Sequence, residues 1–402
     1  MAPAGARSGR KGVLAAFYHV VRRELHFISH SPFCTLFVFI LPVASFIILW
    51  TVFYYEVPRD MPIVVRDGDH SALSRQLVRM AEASGALAVA GTVDDPAEGA
   101  AYIRRGEAYA MLYIPADFER DLKRRDAPAA VVYYNNQWLL TSGLISRAVR
   151  EVVGTLSAGA DVRARMLQGA HISQAMERYD PVYIDKHALF NPNMNYRYFL
   201  LPALLPTMMQ MFIIMMTVRT VGGELKHGTA RHWLDAAGRR ASVALFGKLF
   251  PYTLAFIVMT NFMLALLVRF ASVPFYGDGP TLVLGSVLFV LAYQSMGFAF
   301  AVLAANLRLA NSLAGFYAGP AFAFAGITFP LAGMPLAAKC WSYSLPLTHY
   351  LNVMLQQALR GAPPEASFPS LAALCAFVLL PPALLLGRLN RVALDARYWG
   401  RL

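Results

Sequence analysis

Long apolar stretches alternate with polar segments along this chain. Six of these stretches are long enough to cross a bilayer, since about 20 helical residues span about 30 Å of hydrocarbon. They cover residues 33–54, 199–218, 249–268, 282–305, 312–334 and 370–386. None of the six contains Asp, Glu, Lys or Arg. The pattern predicts an α-helical integral membrane protein with six transmembrane helices. We expect the first stretch to remain uncleaved, because it is too long for a signal peptide and lacks a small-residue cleavage site.

Between the first and second stretches, residues 56–197 have the alternating pattern of a soluble domain. Short β-type runs cover residues 61–65, 86–93, 109–114 and 130–134. They alternate with helical patterns that begin at Ser71 and Ala97, and a longer helical pattern extends from about Leu140 to Tyr179. A turn-rich linker at 191–195 then leads into the second stretch. This alternation predicts an inserted extracytoplasmic α/β domain.

The segment from Asp67 to Ser71 has oxygen ligands at alternate positions, as at the start of a calcium loop. The central Gly and the closing Glu of such a loop are absent at their required spacing. A turn that ends a strand and supplies the cap of a helix is therefore the favoured interpretation.

The distribution of charge predicts the orientation of the chain. The formal net charge of +12 falls entirely on residues 1–32, 219–248, 308 and 387–402, whereas the remaining loops balance to zero. An excess of Lys and Arg marks the cytoplasmic face of a membrane protein. We therefore expect both termini in the cytoplasm. No separate basic domain remains that would bind nucleic acid, so the basic side chains indicate topology and contact with membrane lipids.

Motifs for chemistry within the chain are scarce. It has no GxxxxGK[ST], HExxH or GxSxG sequence, and its three cysteines cannot form a disulfide framework. His26 and His30 lie one helical turn apart without a third ligand nearby, so a helix at the membrane interface is favoured over a metal site. We predict no catalytic residue, no metal site and no cofactor in this chain.

The charge-free stretches bear on the energy source. A carrier driven by protons or cations needs an ionisable residue at bilayer depth, and these stretches have none. The energy for transport would instead have to be supplied through contacts at the cytoplasmic surface. An amphipathic helix before the first span, with the apolar stripe Leu14, Phe17, Val21, Leu25 and Ile28, and the Gly-punctuated loop at 219–248 are available there.

Several short motifs occur in a characteristic order. They are Arg23-Glu24-Leu25, Ser31-Pro32, Asn191-Pro192, 198–202 (YFLLP), 218–219 (VR), 224–229 (ELKHGT), 247–252 (GKLFPY), 326–330 (GITFP), 334–335 (MP) and 345–350 (LPLTHY). In this order and spacing the chain resembles the permease subunits of ABC type-2 exporters, in the branch with a large extracytoplasmic domain after the first span. It departs from that pattern at Ala230-Arg231-His232, where an acidic residue is usual.

The resemblance implies a dimer of permease subunits, homomeric or heteromeric, in a bacterial inner membrane. It also implies coupling to a separate ABC ATPase that binds ATP and Mg²⁺, and a periplasmic adaptor as a further partner of the outer domain. Contact with the ATPase would involve the amphipathic helix and the following loop. The residues expected there are Arg22, Arg23, Glu24, Glu224, Lys226, Gly228 and Thr229.

The expected organisation follows the apolar stretches. It comprises a cytoplasmic tail with an amphipathic helix (1–32), the first transmembrane helix (33–55), the extracytoplasmic domain (56–197), helices two to six (198–390) and a cytoplasmic tail (391–402). Within the fourth segment we expect a cytoplasmic coupling loop at 219–248 and an extracytoplasmic hairpin at 335–369.

A path for a hydrophobic or amphipathic cargo should be lined by uncharged polar and aromatic groups. The candidates are Gln210, Tyr293, Gln294, Asn311, Tyr317 and Thr328. For any one of them, a hydrogen bond between helices is an equally good interpretation.

Two other functions are open at the level of sequence. A receptor or scaffold whose outer α/β domain binds a ligand or an envelope protein would explain that domain but not five further spans. A secondary carrier is disfavoured by the charge-free stretches. The sequence does not identify the cargo.

Overall fold

The computed structural model describes residues 4–124, 126, 128–167, 189–191 and 194–400. The chain divides into two compact units, Met1–Tyr54 with Asn195–Leu402 and Tyr55–Met194. The first unit begins with α1 (Ala4–His30) and α2 (Pro32–Val52), which contains a π turn at Leu36–Ile40.

The second unit is a small α/β fold built on a four-stranded sheet. Its elements in chain order are β1 (Met61–Asp67), α3 (Ala72–Glu82), β2 (Leu87–Thr92), α4 (Pro96–Arg105), β3 (Ala110–Ile114), α5 (Phe118–Arg124), β4 (Val131–Tyr134) and α6 (Leu139–Leu167). The strand order is β2-β1-β3-β4, with β1 parallel to β2 and β3, and β4 antiparallel to β3. The four predicted strands and the first two predicted helices are confirmed. The predicted end of the long helix, up to Tyr179, lies outside the described residues.

The turn between β1 and α3 is a helix cap, as the sequence indicates. Ser71 accepts a hydrogen bond from Ser74 N, and Ser74 Oγ accepts one from Ser71 N, which closes a capping box. The Asp67 carboxylate accepts bonds from Ser74 Oγ at 2.7 Å and from the backbone N–H groups of Asp69 and His70 at 3.0 Å. Partial burial raises the pKa of Asp67, but these hydrogen bonds outweigh it and the pKa lies below its usual value of 3.8.

Because the folded pKa is depressed, Asp67 stabilises the turn above pH 3.8 and loses this effect as the pH falls below that value. We expect Asp67→Asn to weaken the start of α3 by about 1 kcal/mol at neutral pH, since it removes charge-assisted hydrogen bonds from a partly exposed site. Hydrogen exchange of the full-length protein at pH 6 should then be about fivefold faster over residues 68–78. The exposed Asp94→Asn is the control; equal exchange in the two variants would contradict the prediction.

The rest of the first unit is helical. Its elements are α7 (Tyr196–Lys226), α8 (Ala230–Ala236), α9 (Ala241–Arg269), α10 (Gly279–Ala304), α11 (Leu307–Ala318), α12 (Ala321–Phe324), α13 (Leu336–Tyr343), α14 (Pro346–Met354) with a π turn at Leu355–Leu359, and α15 (Phe368–Leu394). Among the described residues, α2, α7, α9, α10 and the Pro364–Leu394 segment that contains α15 are long and apolar enough to cross a membrane. We call the end of this bundle that holds Lys226, Ala241 and Leu307 the charged end, and the opposite end, where α2 finishes and α7 begins, the insert end.

The predicted fifth span, residues 312–334, is not one continuous helix. It consists of α11, the short α12 and an irregular segment with a 3₁₀ turn at Leu331–Gly333. Pro320 and Pro330 lack the N–H group that a continuing helix needs, and Gly326 has a positive φ of 85°. Five of the six expected spans are thus long apolar helices among the described residues, and the count of six stays a prediction.

The predicted outer hairpin at 335–369 lies partly inside the bundle. Helices α13 and α14 meet at Ser344–Pro346, and the apex contacts two tyrosines of neighbouring helices: Tyr317 donates to Ser344 O at 2.5 Å, and Leu347 N donates to Tyr293 Oη at 3.3 Å. At its other end α14 returns to the insert end, where Tyr276 N donates to Ala358 O. Leu345 and Leu347 beside the apex are fully buried, so these residues form a re-entrant hairpin rather than an external loop.

Candidate functional site

Charged side chains from three helices meet at the charged end. Lys248 Nζ on α9 donates to Glu24 Oε2 on α1 and to Glu224 Oε1 on α7, each at 2.7 Å. Arg23 also donates to Glu224 Oε1 at 2.7 Å, and Tyr252 donates to Glu24 Oε1 at 2.9 Å. We call these five residues with Thr229 the ion network. It joins α1 to α7 and α9.

Most of the ion network is hidden from solvent. Glu24, Glu224 and Lys248 are 3%, 5% and 4% exposed. Buried charges are tolerated when they are paired and their remaining lone pairs are satisfied. The two carboxylates balance the charges of Lys248 and Arg23, and all four carboxylate oxygens accept a hydrogen bond. The network therefore fixes the position of α1 on the bundle.

The end of α7 explains the spacing of Glu224, Gly228 and Thr229. Gly228 has a φ of 68°, a conformation that glycine adopts without strain, so the chain turns sharply after the helix. This turn brings Thr229 N back to Glu224 O at 2.9 Å and the Thr229 hydroxyl onto Glu224 Oε2. The Glu and Gly-Thr positions thus form one local structure that orients the Glu224 carboxylate toward Lys248.

Helix α1 presents one face to the bundle and leaves part of its predicted apolar stripe exposed. Leu14 and Leu25 are more than half exposed, whereas Val20 and Glu24 face the bundle. Gly247 on α9 allows this approach, because a Cβ there would lie 3.1 Å from the Val20 side chain. The ion pair of Glu24 with Lys248 holds this face against the bundle. The periodicity of apolar residues does not predict such an ion pair.

Helix α8 presents a second charged surface at this end. Its Trp233 and Leu234 side chains are buried, and Trp233 Nε1 donates to Ala244 O at 3.1 Å. Arg231, His232 and Asp235 point away from the bundle and are exposed. A short helix is thus firmly seated on the bundle while its charged face, where Arg239 pairs with Asp235 at 2.9 Å, remains exposed.

A cavity of about 320 Å³ lies beside the ion network. Arg219, whose guanidinium lies 3.9 Å from the centre of the Phe33 ring, contributes to its lining together with Lys226 and His227. Apolar side chains, among them Phe27 and Leu307, complete the wall. The charged end therefore has both a projecting helix and an adjacent recess.

The sequence matches the family described as "ABC-2 family transporter protein" over residues 33–386, most of the chain. The chain belongs to the ABC-2 transporter family. This permease is 20% identical over 343 residues to the "Probable multidrug ABC transporter permease YbhR" of Escherichia coli strain K12, covering 85% of this chain and 89% of the relative. It is 22% identical over 321 residues to the "Inner membrane transport permease YhhJ" of the same strain, covering 78% and 81%. It is 23% identical over 272 residues to the "Probable multidrug ABC transporter permease YbhS", covering 67% and 69%.

The residues predicted to contact an ATPase occupy two different environments in this permease. Glu24 and Glu224 face inward, so their carboxylates hold the helices together and do not project from the surface. Arg22 is exposed, and Lys226, Gly228 and Thr229 are partly exposed. Contact of this region with an ATPase stays a prediction, in which the two glutamates act through the elements they position.

Three of the six predicted path residues come together in the middle of the bundle. Gln210 Nε2 on α7 donates to Ala318 O at 3.0 Å, and Tyr293 on α10 donates to Gln210 Oε1. Tyr317 reaches the apex of the re-entrant hairpin. These bonds connect α7, α10, α11 and the hairpin, which is the structural role that the sequence left open for them.

The other three candidates lie apart. Asn311 Nδ2 bonds Leu307 O one turn back, and Thr328 bonds Ala323 O. Gln294 points to another side of α10, where it contacts Thr253. A role of the six residues in transport remains a prediction.

Sequence reasoning missed Lys248 and Tyr252 as members of the site. Both stood in a motif of the resemblance, and a lysine one residue before a predicted span was the available signal. Its partners lie more than 20 residues away along the chain, so only the fold could identify them.

Proposed function

We propose that this permease is the membrane subunit of an ATP-driven exporter in a bacterial inner membrane. A separate ABC ATPase would supply the energy, and a second permease subunit would complete the transport unit. The cargo would be a hydrophobic or amphipathic molecule moved out of the cytoplasm or the inner leaflet, and two relatives named as probable multidrug permeases support a cargo of the drug type.

The charge distribution supports the orientation. The positively charged segments lie at the charged end, which we place in the cytoplasm with both termini. The exposed apolar side chains of α1, including Leu14, Tyr18 and Leu25, then face the inner leaflet. The inserted α/β unit would accordingly lie outside the cytoplasm.

The observation that carries this proposal is the seating of α8. Its apolar face is buried against the bundle and its charged face is exposed, so a force applied to α8 reaches the bundle directly. Helix α8 packs against α1, α9 and α15, and Lys248 Nζ lies 5.6 Å from the centre of the Trp233 ring. We infer that the ATPase binds the exposed face of α8 and that the ion network transmits the movement to α1, α7 and α9.

Reversing the charge of α8 tests this contact. The permease would be co-expressed with the ABC ATPase that co-purifies with it, reconstituted in lipid nanodiscs and assayed for ATP hydrolysis. Arg231→Glu combined with Asp235→Arg should lower permease-dependent ATPase activity at least tenfold, because mispaired charges at an interface are strongly unfavourable.

Arg308→Glu is the matched control, since Arg308 is also an exposed arginine at the charged end but lies on α11. It should leave both the activity and the melting temperature unchanged. If the α8 variant retains full activity at unchanged stability, or if no ATPase co-purifies with the wild-type chain, the proposal is wrong.

A further inference from the structure

A groove on the side of the bundle is lined in part by a glutamine whose buried amide has an unsatisfied atom. The groove has a volume of about 170 Å³ and lies between α1, α9, α10 and α15. Aromatic rings from three of these helices line it, namely Phe17, Phe246, Phe250 and Phe298. Phe246 and Phe250 are about half exposed, so the groove opens toward the surface that bilayer hydrocarbon surrounds. Gln294, which is 2% exposed, forms part of its wall.

One terminal atom of the Gln294 amide is hydrogen-bonded and the other is not. Thr253 Oγ1 donates to Gln294 Oε1 at 2.7 Å, whereas Nε2 is buried without a partner. Rotating the amide by half a turn does not solve this. Thr253 would then accept from Nε2 and donate to Leu249 O, 3.0 Å away, and Oε1 would be unpaired instead. In either orientation the amide offers one unsatisfied polar atom, which is an unfavourable state for a buried group.

Water is a poor partner for this amide. A buried water molecule needs two to four polar neighbours. The nearby Thr253 and Ser295 hydroxyls have already donated their single protons, to the amide and to Val378 O at 2.9 Å, so they could offer a water lone pairs alone. The remaining lining is mainly aromatic and aliphatic.

Phospholipid is also a poor partner at this depth. Gln294 lies ten residues before Ala304, the last residue of α10, which is about 15 Å along the helix axis. Thr253 lies five residues beyond Lys248 on α9, about 7 Å further from the charged end. The ester groups of phospholipids lie in the interfacial region, outside the hydrocarbon core that surrounds this level. The acyl chains that reach the groove carry no hydrogen-bonding atom.

We propose that this groove binds a lipophilic molecule whose apolar, aromatic body carries a hydrogen-bonding group, a carbonyl above all. The carbonyl bonds the Gln294 amide and the rings pack against the phenylalanines. A cavity of about 150 Å³ holds a benzene-sized ring, so the groove of about 170 Å³ encloses one ring of such a molecule, and a second ring would lie toward its open side. Its role as the place where cargo from the leaflet first binds rests on the proposed export function, whereas the binding itself does not.

A photoaffinity experiment tests the site. Alkyne-tagged benzophenone would be irradiated with the full-length permease in lipid nanodiscs, without an ATPase, and the labelled peptides mapped by mass spectrometry. We expect labels within residues 245–253 and 291–298. Untagged benzophenone should displace the probe at about tenfold lower concentration than diphenylmethane, which has the same two rings but no ketone. In Gln294→Met this tenfold difference should disappear.

The melting temperature distinguishes a ligand-binding role of Gln294 from a structural one. Gln294→Met removes an unsatisfied amide, so the melting temperature should stay the same or rise. Gln357→Met is the matched control, because the fully buried Gln357 amide accepts from Asp278 N at 3.0 Å and donates to Ser367 Oγ at 2.9 Å. That variant should melt earlier. Equal displacement by the two competitors in the wild type, a persistent difference in Gln294→Met, or a loss of stability like that of Gln357→Met would each overturn the proposal. Because no ATPase is present, none of these results depends on the proposed coupling.

Discussion

Replacing Lys248 with methionine is expected to destabilise the helical bundle by about 3–5 kcal/mol, because it leaves two buried carboxylates without their shared cation. Glu24 would keep only its bond from Tyr252, and Glu224 would keep Arg23 and Thr229. Methionine retains the length and the apolar stem of lysine, so the loss reports the charge rather than a cavity. The measurement is the melting temperature of the detergent-solubilised protein, with size-exclusion chromatography as the readout of the fraction that stays folded.

Two further variants separate the charge from other effects. Lys248→Met combined with Glu24→Gln and Glu224→Gln should recover most of the stability, since neutral amides need no counter-ion. Arg23→Met should lower stability by less than Lys248→Met, because the Arg23 side chain is 40% exposed and water solvates what remains. A Lys248→Met protein that melts at the wild-type temperature would show that the network does not hold α1 in place.

The sequence predicted the elements that are stabilised by residues close together along the chain. The strands around Val64 and Leu112 were predictable because short apolar runs bounded by turn residues rarely form any element other than a buried strand. The cap at Ser71 was predictable because its hydrogen bonds span three residues. The long apolar helices were predictable because a bilayer imposes a minimum length.

Features that depend on distant partners were not predictable in this way. Residues 312–334 have the length and composition of a span, yet Pro320 and Pro330 break the helix, and the freed segment is accommodated by the packed hairpin at Ser344–Pro346. Bilayer helices often tolerate proline, so the sequence did not distinguish a kink from a break.

The candidate site shows the same limit. The predicted residues Arg23, Glu24, Glu224 and Thr229 do meet, but the sequence did not show that the carboxylates face inward. Their common partner Lys248 lies on a third helix. Periodicity reports which face of a helix is apolar, and an ion pair can override it by burying a charged residue such as Glu24.

Truncating Trp233 to alanine is expected to have the second large effect, a loss of about 3–5 kcal/mol in the packing of α8. The side chain is 1% exposed and fills the space between α8 and the bundle, and its indole N–H bonds Ala244 O. Hydrogen exchange over residues 229–240 should therefore accelerate strongly, whereas residues 61–67 in the separate α/β unit should exchange as in the wild type.

The same substitution connects the fold to the proposed function. If force passes through a seated α8, Trp233→Ala should abolish permease-dependent ATP hydrolysis even where the ATPase still binds, because a loosened helix moves without moving α9. Trp233→Phe keeps most of the volume and loses only the bond to Ala244 O, so we expect a loss of about 1 kcal/mol and nearly normal coupling. The exposed His232→Ala should change neither stability nor packing. Full coupling in Trp233→Ala, measured together with fast exchange of α8, would mean that the ATPase acts on this permease through another surface.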